Sequence, residues 1–110
     1  MISNLTPHQV AVVDADGTEI AVYPPSGLVA RAAQTDQLVG AVEGIEVVRT
    51  TFGAPTDLPE PEEGTWFIVS LATANAAKAT GRITNDLLLT SGPVRDDSGR
   101  IIGCRRFATL

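Results

Sequence analysis

Gln9-Val10-Ala11-Val12-Val13-Asp14-Ala15-Asp16-Gly17-Thr18-Glu19-Ile20-Ala21-Val22-Tyr23 sets the architecture. The first five residues are dominated by valine, whose β-branched side chain suits a pleated backbone better than a helix. Asp14-Ala15-Asp16-Gly17 supplies turn chemistry, and Gly17 can take positive φ without steric penalty. Thr18 to Tyr23 then alternates and reads as the returning strand. One β-hairpin is therefore expected across residues 9–23, and the rest of the chain repeats this pattern.

Pro24-Pro25-Ser26-Gly27 ends the hairpin, because proline cannot continue a ladder and Gly27 permits a sharp reversal. From Leu28 to Thr35 the residues alternate, with Leu28, Ala30 and Ala32 on one face and Val29, Arg31 and Ala33 on the other. Gln37–Val42 and Ile45–Phe52 form a second predicted hairpin around Glu43-Gly44. Residues 54–64 hold Pro55, Pro59 and Pro61 with Asp57, Glu60, Glu62 and Glu63, a composition that reads as a solvated loop.

Thr65-Trp66-Phe67-Ile68-Val69-Ser70 is the most apolar predicted strand. The alanine-rich stretch Leu71–Thr80 contains no Pro or Gly and predicts one short helix, with Ser70 as its N-cap and Gly81 just past its end. Leu87–Thr90 reads as a short strand broken at Gly92-Pro93. Val94-Arg95 and Ile101–Phe107 flank Asp96-Asp97-Ser98-Gly99-Arg100 as a third hairpin. The expected fold is α+β but mostly β: an antiparallel curved sheet or partly open barrel built from hairpins, with one short helix over a side or an open end.

At 110 residues the chain is expected to be one domain, residues 1–110, long enough to bury a core without a disulfide or metal. Cys104 is the only cysteine, so no disulfide can form within the chain; its place in an apolar run favours a buried core thiol over a nucleophile. Met1-Ile2-Ser3-Asn4 lacks a basic region followed by an apolar stretch, and no apolar run reaches membrane-spanning length. No leader and no membrane partner are expected, and the bacterial cytoplasm is the expected location.

The charge is uneven. Residues 1–77 carry Arg31 and Arg49 against ten acids, a net of −8, whereas residues 78–110 carry six cations against three acids, a net of +3. The overall net charge of −5 argues against non-specific binding to duplex nucleic acid, which needs several phosphate-neutralising cations. It leaves room for a small anionic ligand. Seven of the eight cations are arginine, the side chain suited to bidentate phosphate contacts.

Several segments carry candidate chemistry. Asn4-Leu5-Thr6-Pro7-His8 presents Asn4, Thr6 and His8 around a rigid proline; these groups can read a ligand's edge, or they can simply fix a turn before the first hairpin. His8, the only histidine, is the one side chain suited to acid–base work near neutral pH, but no carboxylate is placed to orient it. Ser26 and Gly27 could cradle an anion with their backbone N–H groups. Ser70 opens a helix, whose N-terminus attracts anions, while Arg82 and Asp86 beyond its end either meet a ligand or pair with each other. No phosphate-binding loop, dinucleotide fingerprint, calcium loop or hydrolase triad spacing is present. No cofactor is implied, and enzyme activity is the minority reading.

The whole chain resembles a group of small uncharacterised proteins encoded by bacterial viruses and by bacterial genomes, especially of actinobacteria. The resemblance begins at Asn4-Leu5-Thr6-Pro7-His8 and continues through Pro24-Pro25-Ser26-Gly27 with Arg31, Val47-Val48-Arg49-Thr50 with Gly53, Leu58-Pro59 and Ile68-Val69-Ser70. It ends with Arg82, Asp86, Val94-Arg95-Asp96 and Gly99-Arg100-Ile101-Ile102-Gly103-Cys104. The chain departs from the pattern at Thr90-Ser91-Gly92. The resemblance implies a phage or prophage origin and no particular mechanism.

Small phage proteins often act by binding, and one class sequesters nucleotide immune signals. Arg31, Arg49, Arg82 and Arg95, together with Asn4, Thr6, His8, Ser26, Ser70 and Asp86, would suit a phosphate- and ribose-bearing ligand. The pocket would be shared between protomers of a homo-oligomer. That expectation requires the guanidinium groups to converge. Two alternatives stand beside it: a protein-interaction module that inhibits a host factor through a sheet edge or the acidic loop, and a small hydrolase using His8.

Overall fold

A computed structural model describes all of Met1–Leu110. In chain order the elements are β1 (Ile2–Asn4), β2 (Val10–Val13), β3 (Glu19–Tyr23), β4 (Arg31–Val42), β5 (Ile45–Thr56), β6 (Trp66–Ile68), α1 (Leu71–Ala79), β7 (Leu87–Arg95) and β8 (Ile101–Ala108). Six strands form one curved sheet in the order β1-β6-β7-β8-β2-β3, and β4-β5 forms a separate two-stranded sheet. The mostly β, barrel-like expectation holds, with a single helix.

The first and third predicted hairpins are present and share one turn design. Asp14 Oδ1 accepts from the backbone N–H groups of Asp16 and Thr18, both at 2.9 Å. Asp96 Oδ1 likewise accepts from Ser98 and Arg100, at 2.9 and 3.0 Å. Gly17 and Gly99, three residues after each aspartate, take φ of 82° and 83°. A short carboxylate that organises its own turn, followed by a glycine, is what made both reversals readable in the sequence.

Three features differ from the expectation. First, the sheet is mixed. β1 runs parallel to β6, β6 parallel to β7, and β2 parallel to β8 at Val12↔Cys104. Parallel neighbours need a crossover, and α1 provides it between β6 and β7. Second, Gly92-Pro93 does not break β7. Gly92 takes φ 69° with the register unshifted, and Pro93 pairs with Cys104 on β8 at a point where β7 has no strand on its other side; an edge of that kind tolerates a residue without an N–H. Third, the second hairpin is longer than expected. It absorbs Arg31–Thr35 from the alternating stretch, then Asp36, and Ala54–Thr56 from the predicted loop, reaching 12 residues per strand. Glu43 (φ 51°) and Gly44 (φ 78°) form its turn, both in the left-handed region that two-residue hairpin loops favour.

Side-chain alternation splits the core in two. Phe67 packs with Leu5, Ala30, Val69, Ala74, Ala77 and Leu87 on the helix side. Its neighbour Ile68 points the other way, packing with Val10, Val12 and Cys104 inside the curved sheet. β2 is buried along its whole length because β8 and β3 flank it. Helix α1 starts as expected: Ser70 Oγ accepts from Thr73 N at 3.2 Å. At its end Gly81 (φ 85°) donates to Lys78 O, and Arg82 N donates to Ala77 O, which caps the last carbonyls. No helix is long and apolar enough to cross a membrane.

Candidate functional site

β6 stops at Ile68, Val69 N still reaches Leu88 O, and the chain then turns into α1. Beyond Leu88, β7 therefore has no partner on the β6 side. The segment entering β2 passes opposite this open edge, and a cavity of about 630 Å³ lies between them. Its floor and walls are apolar: Val10, Ile68, Val69, Pro93, Ile101 and Ile102. Its polar groups are the hydroxyls of Thr6, Ser70, Thr90 and Ser91, the His8 imidazole and the Gln9 amide. No charged side chain lines it.

The position of the Thr6–Gln9 wall follows from Asn4, which is only 2% exposed. Asn4 Nδ2 donates to Tyr23 O at 2.9 Å and to His8 O at 2.7 Å. Asn4 Oδ1 accepts from Thr6 N at 2.9 Å and lies 2.7 Å from Thr6 Oγ1. The Thr6 hydroxyl is also 3.0 Å from His8 O, so its single proton serves one acceptor or the other. Asn4 O accepts from Ser26 N at 3.0 Å. One buried amide thus ties β1 to the end of β3, nearly closing the curved sheet, and bends the next four residues into the cavity wall.

Of the residues expected to meet a ligand, the structure brings Thr6, His8 and Ser70 together around this cavity. It separates the others. Asn4 has both amide hydrogens and its carbonyl oxygen engaged by the protein itself, so it acts as a post rather than a ligand contact. Ser26 is exposed and its N–H is held by Asn4 O, which removes one of the two donors of the proposed anion cradle.

Arg82 and Asp86 form a nearly buried bidentate pair, their side chains 12% and 11% exposed, with contacts at 2.9 and 3.0 Å. Arg82 Nη2 also donates to Pro59 O at 2.8 Å and Nη1 to Ile83 O at 2.7 Å. This guanidinium pins the proline-rich loop to the α1–β7 connection. Arg95 donates to Gly99 O within the β7–β8 turn. Arg31 and Arg49 lie on the separate β4–β5 hairpin. The four guanidinium groups are not gathered at the cavity: Arg82 lies in the α1–β7 connection, Arg95 on the six-stranded sheet, and Arg31 and Arg49 on the separate two-stranded sheet.

The lining narrows the chemistry. No carboxylate lies in the cavity wall to orient His8. Cys104 touches the cavity but is 4% exposed and packs among Val10, Val12 and Ile68, which agrees with a core thiol. No three His, Cys, Asp or Glu side chains gather as a metal site. Thr90, Ser91 and Gln9 were missed in the sequence. The signal available for the first two was a polar pair interrupting the apolar run from Leu87.

Comparison of the chain with protein-family models, with curated proteins and with solved structures finds no match.

Proposed function

We propose that the protein is a non-catalytic binder of one small nucleoside-like ligand, held in the cleft between Thr6–Ala11 and the open edge of β7. The observation that carries this reading is the lining itself: hydroxyls, an imidazole and an amide set around an apolar floor, with no acid–base pair. A volume of about 630 Å³ falls within the usual range for small-molecule pockets, roughly 300–1,000 Å³. The face of a flat base would lie against the cavity's apolar walls, and ribose hydroxyls would meet Thr6, Thr90 or Ser91. Ser70 belongs to the wall and opens α1, so a phosphate would sit at the helix N-terminus, where the backbone dipoles favour an anion. The arginines have no part in this version of the site. Sequestering a nucleotide signal is the biological role that suits such a binder.

The test is amide chemical-shift mapping during titration with adenosine, AMP and a cyclic dinucleotide. Saturable shifts at His8, Gln9, Ser70, Thr90 and Ser91 are expected, tighter for AMP than for adenosine. Ser91→Tyr should fill the cleft and abolish them while the circular dichroism spectrum of the folded protein is retained. Absence of saturable shifts at these residues up to millimolar ligand would remove the reading. The unpartnered β7 edge favours a second occupant, an extended peptide added as a strand. Shifts running along residues 89–95 on peptide addition would identify it.

A further inference from the structure

Every residue of β4 and β5 is exposed except Ala32 and Pro55, which are half-buried. The hairpin is nonetheless rich in large apolar side chains: Leu38, Val39, Val42, Ile45, Val47, Val48 and Phe52 are between 38% and 70% exposed. At about 3.3 Å per residue, 12-residue strands make an arm roughly 40 Å long. The radius of gyration, 16.4 Å, exceeds the ~13 Å of a compact chain this size because the arm projects. A two-stranded hairpin is at best marginally stable alone in water. Only the base of this one is tied down, Thr73 Oγ1 donating to Ala30 O at 3.2 Å.

The register shows how the arm would be covered. Pairing of Val42 with Ile45, Gly40 with Val47 and Gln37 with Arg49 puts Val42, Ile45, Val47 and Arg49 on one face. Pairing of Ala41 with Glu46, Leu38 with Val48, Asp36 with Thr50 and Gln34 with Phe52 puts Leu38, Val48 and Phe52 on the other, with Asp36 and Glu46. Both faces are apolar, and between the turn and the bulge at Ala32/Gln34 their charges are opposite: one carries Arg49, the other Asp36 and Glu46, while Arg31 lies at the base of the arm beyond that bulge. The first face of one arm therefore complements the second face of another copy. The seven apolar residues leave on the order of 350 Å² per face in water, the size of the ~300–600 Å² patch that is often functional on a monomer, and an arm covered on both faces withdraws on the order of 700 Å² in all.

We infer that the β4–β5 arm is an assembly element that stacks, face to opposite face, on the arms of further copies of this chain. A contact between two different faces is heterologous, so it closes only as a ring of copies around a shared bundle of arms. The cleft lies on the six-stranded sheet and takes no part, so the inference is independent of the ligand reading.

The full chain is examined by sedimentation equilibrium and light scattering over ~1–500 μM, with circular dichroism and the Thr6–Ser91 amide shifts as controls for the fold. The wild type should form a closed oligomer. Ile45→Glu should leave a folded monomer. Arg49→Asp should weaken association ~10-fold or more through like-charge juxtaposition, and adding Asp36→Arg and Glu46→Arg to it should recover most of that loss. A wild type that stays monomeric to 500 μM would overturn the inference. So would an oligomer indifferent to Ile45→Glu and Arg49→Asp, since the contact would lie elsewhere. Failure of the charge reversal to recover association, with Ile45→Glu monomeric, would overturn the face-to-opposite-face arrangement.

Discussion

Asn4→Ala removes the one side chain that joins β1 to the end of β3. Its amide makes three unambiguous hydrogen bonds, to Tyr23 O, His8 O and Thr6 N, and a fourth contact to Thr6 Oγ1. At about 1 kcal/mol net for each bond, with a further penalty for carbonyls left unpaired in a site water barely reaches, the loss should be ~3–4 kcal/mol. A domain of this size typically has about 5–15 kcal/mol of stability in total, so the substitution should be severe but measurable. It corresponds to a fall in Tm of roughly 15 °C for a chain near 100 residues. Urea unfolding followed by circular dichroism measures it directly: the midpoint should drop with an unchanged slope, because the surface exposed on unfolding is the same. Asn4→Asp should be at least as damaging, since it keeps the acceptor but turns a charge toward two carbonyls. A loss below 1 kcal/mol would refute the reasoning, above all if ligand binding disappeared while the fold stood. Asn4 would then be a ligand contact and not the post that nearly closes the sheet.

Other residues give sharper separations between structural and functional roles. Arg82→Ala should destabilise the protein by about 3–5 kcal/mol, because it strands the nearly buried Asp86 carboxylate, and Arg82→Lys should not restore the bidentate geometry; thermal unfolding of both variants checks this. Gly92→Ala should cost ~1–2 kcal/mol in a denaturant titration, since its φ is 69° and the new Cβ would lie 2.9 Å from Arg106 Nη1 and 3.2 Å from Arg105 Cβ. Ser70→Ala should cost about 1 kcal/mol and Ser70→Gly only a few tenths, the signature of an N-cap, read from the same unfolding curves. The Cys104 thiol should resist alkylation by iodoacetamide in the folded protein and react once urea unfolds it, as counted by mass spectrometry; rapid labelling of the native state would contradict its burial.

What local sequence governs was readable. Asp14–Gly17 and Asp96–Gly99 each carry their turn in four residues, and Ser70 with Gly81 marks both ends of α1, because a turn or cap is satisfied by neighbours a few positions away. Valine and isoleucine runs named the strands for the same local reason. Pairing between segments distant in the chain was not readable. Nothing in Ile2-Ser3-Asn4 signals a strand, yet it lies beside Trp66–Ile68, and Val12 meets Cys104 in parallel. Proline at position 93 looked like a break because its tolerance depends on whether a neighbouring strand is present, which is a property of the assembled sheet.

The site divides along the same line. Residue chemistry alone marked Thr6, His8 and Ser70, and the tertiary structure placed them around one cavity with Thr90 and Ser91. The arginines shared a chemistry but not a place: Arg82 was drawn into an ion pair with Asp86, Arg31 and Arg49 went out on the arm, and Arg95 turned back onto its own hairpin. Sequence determined which groups could bind and where the chain would turn, since those depend on side-chain type and near neighbours. Only the folded chain decided which groups meet and which faces stay uncovered, because both depend on contacts between residues far apart along it.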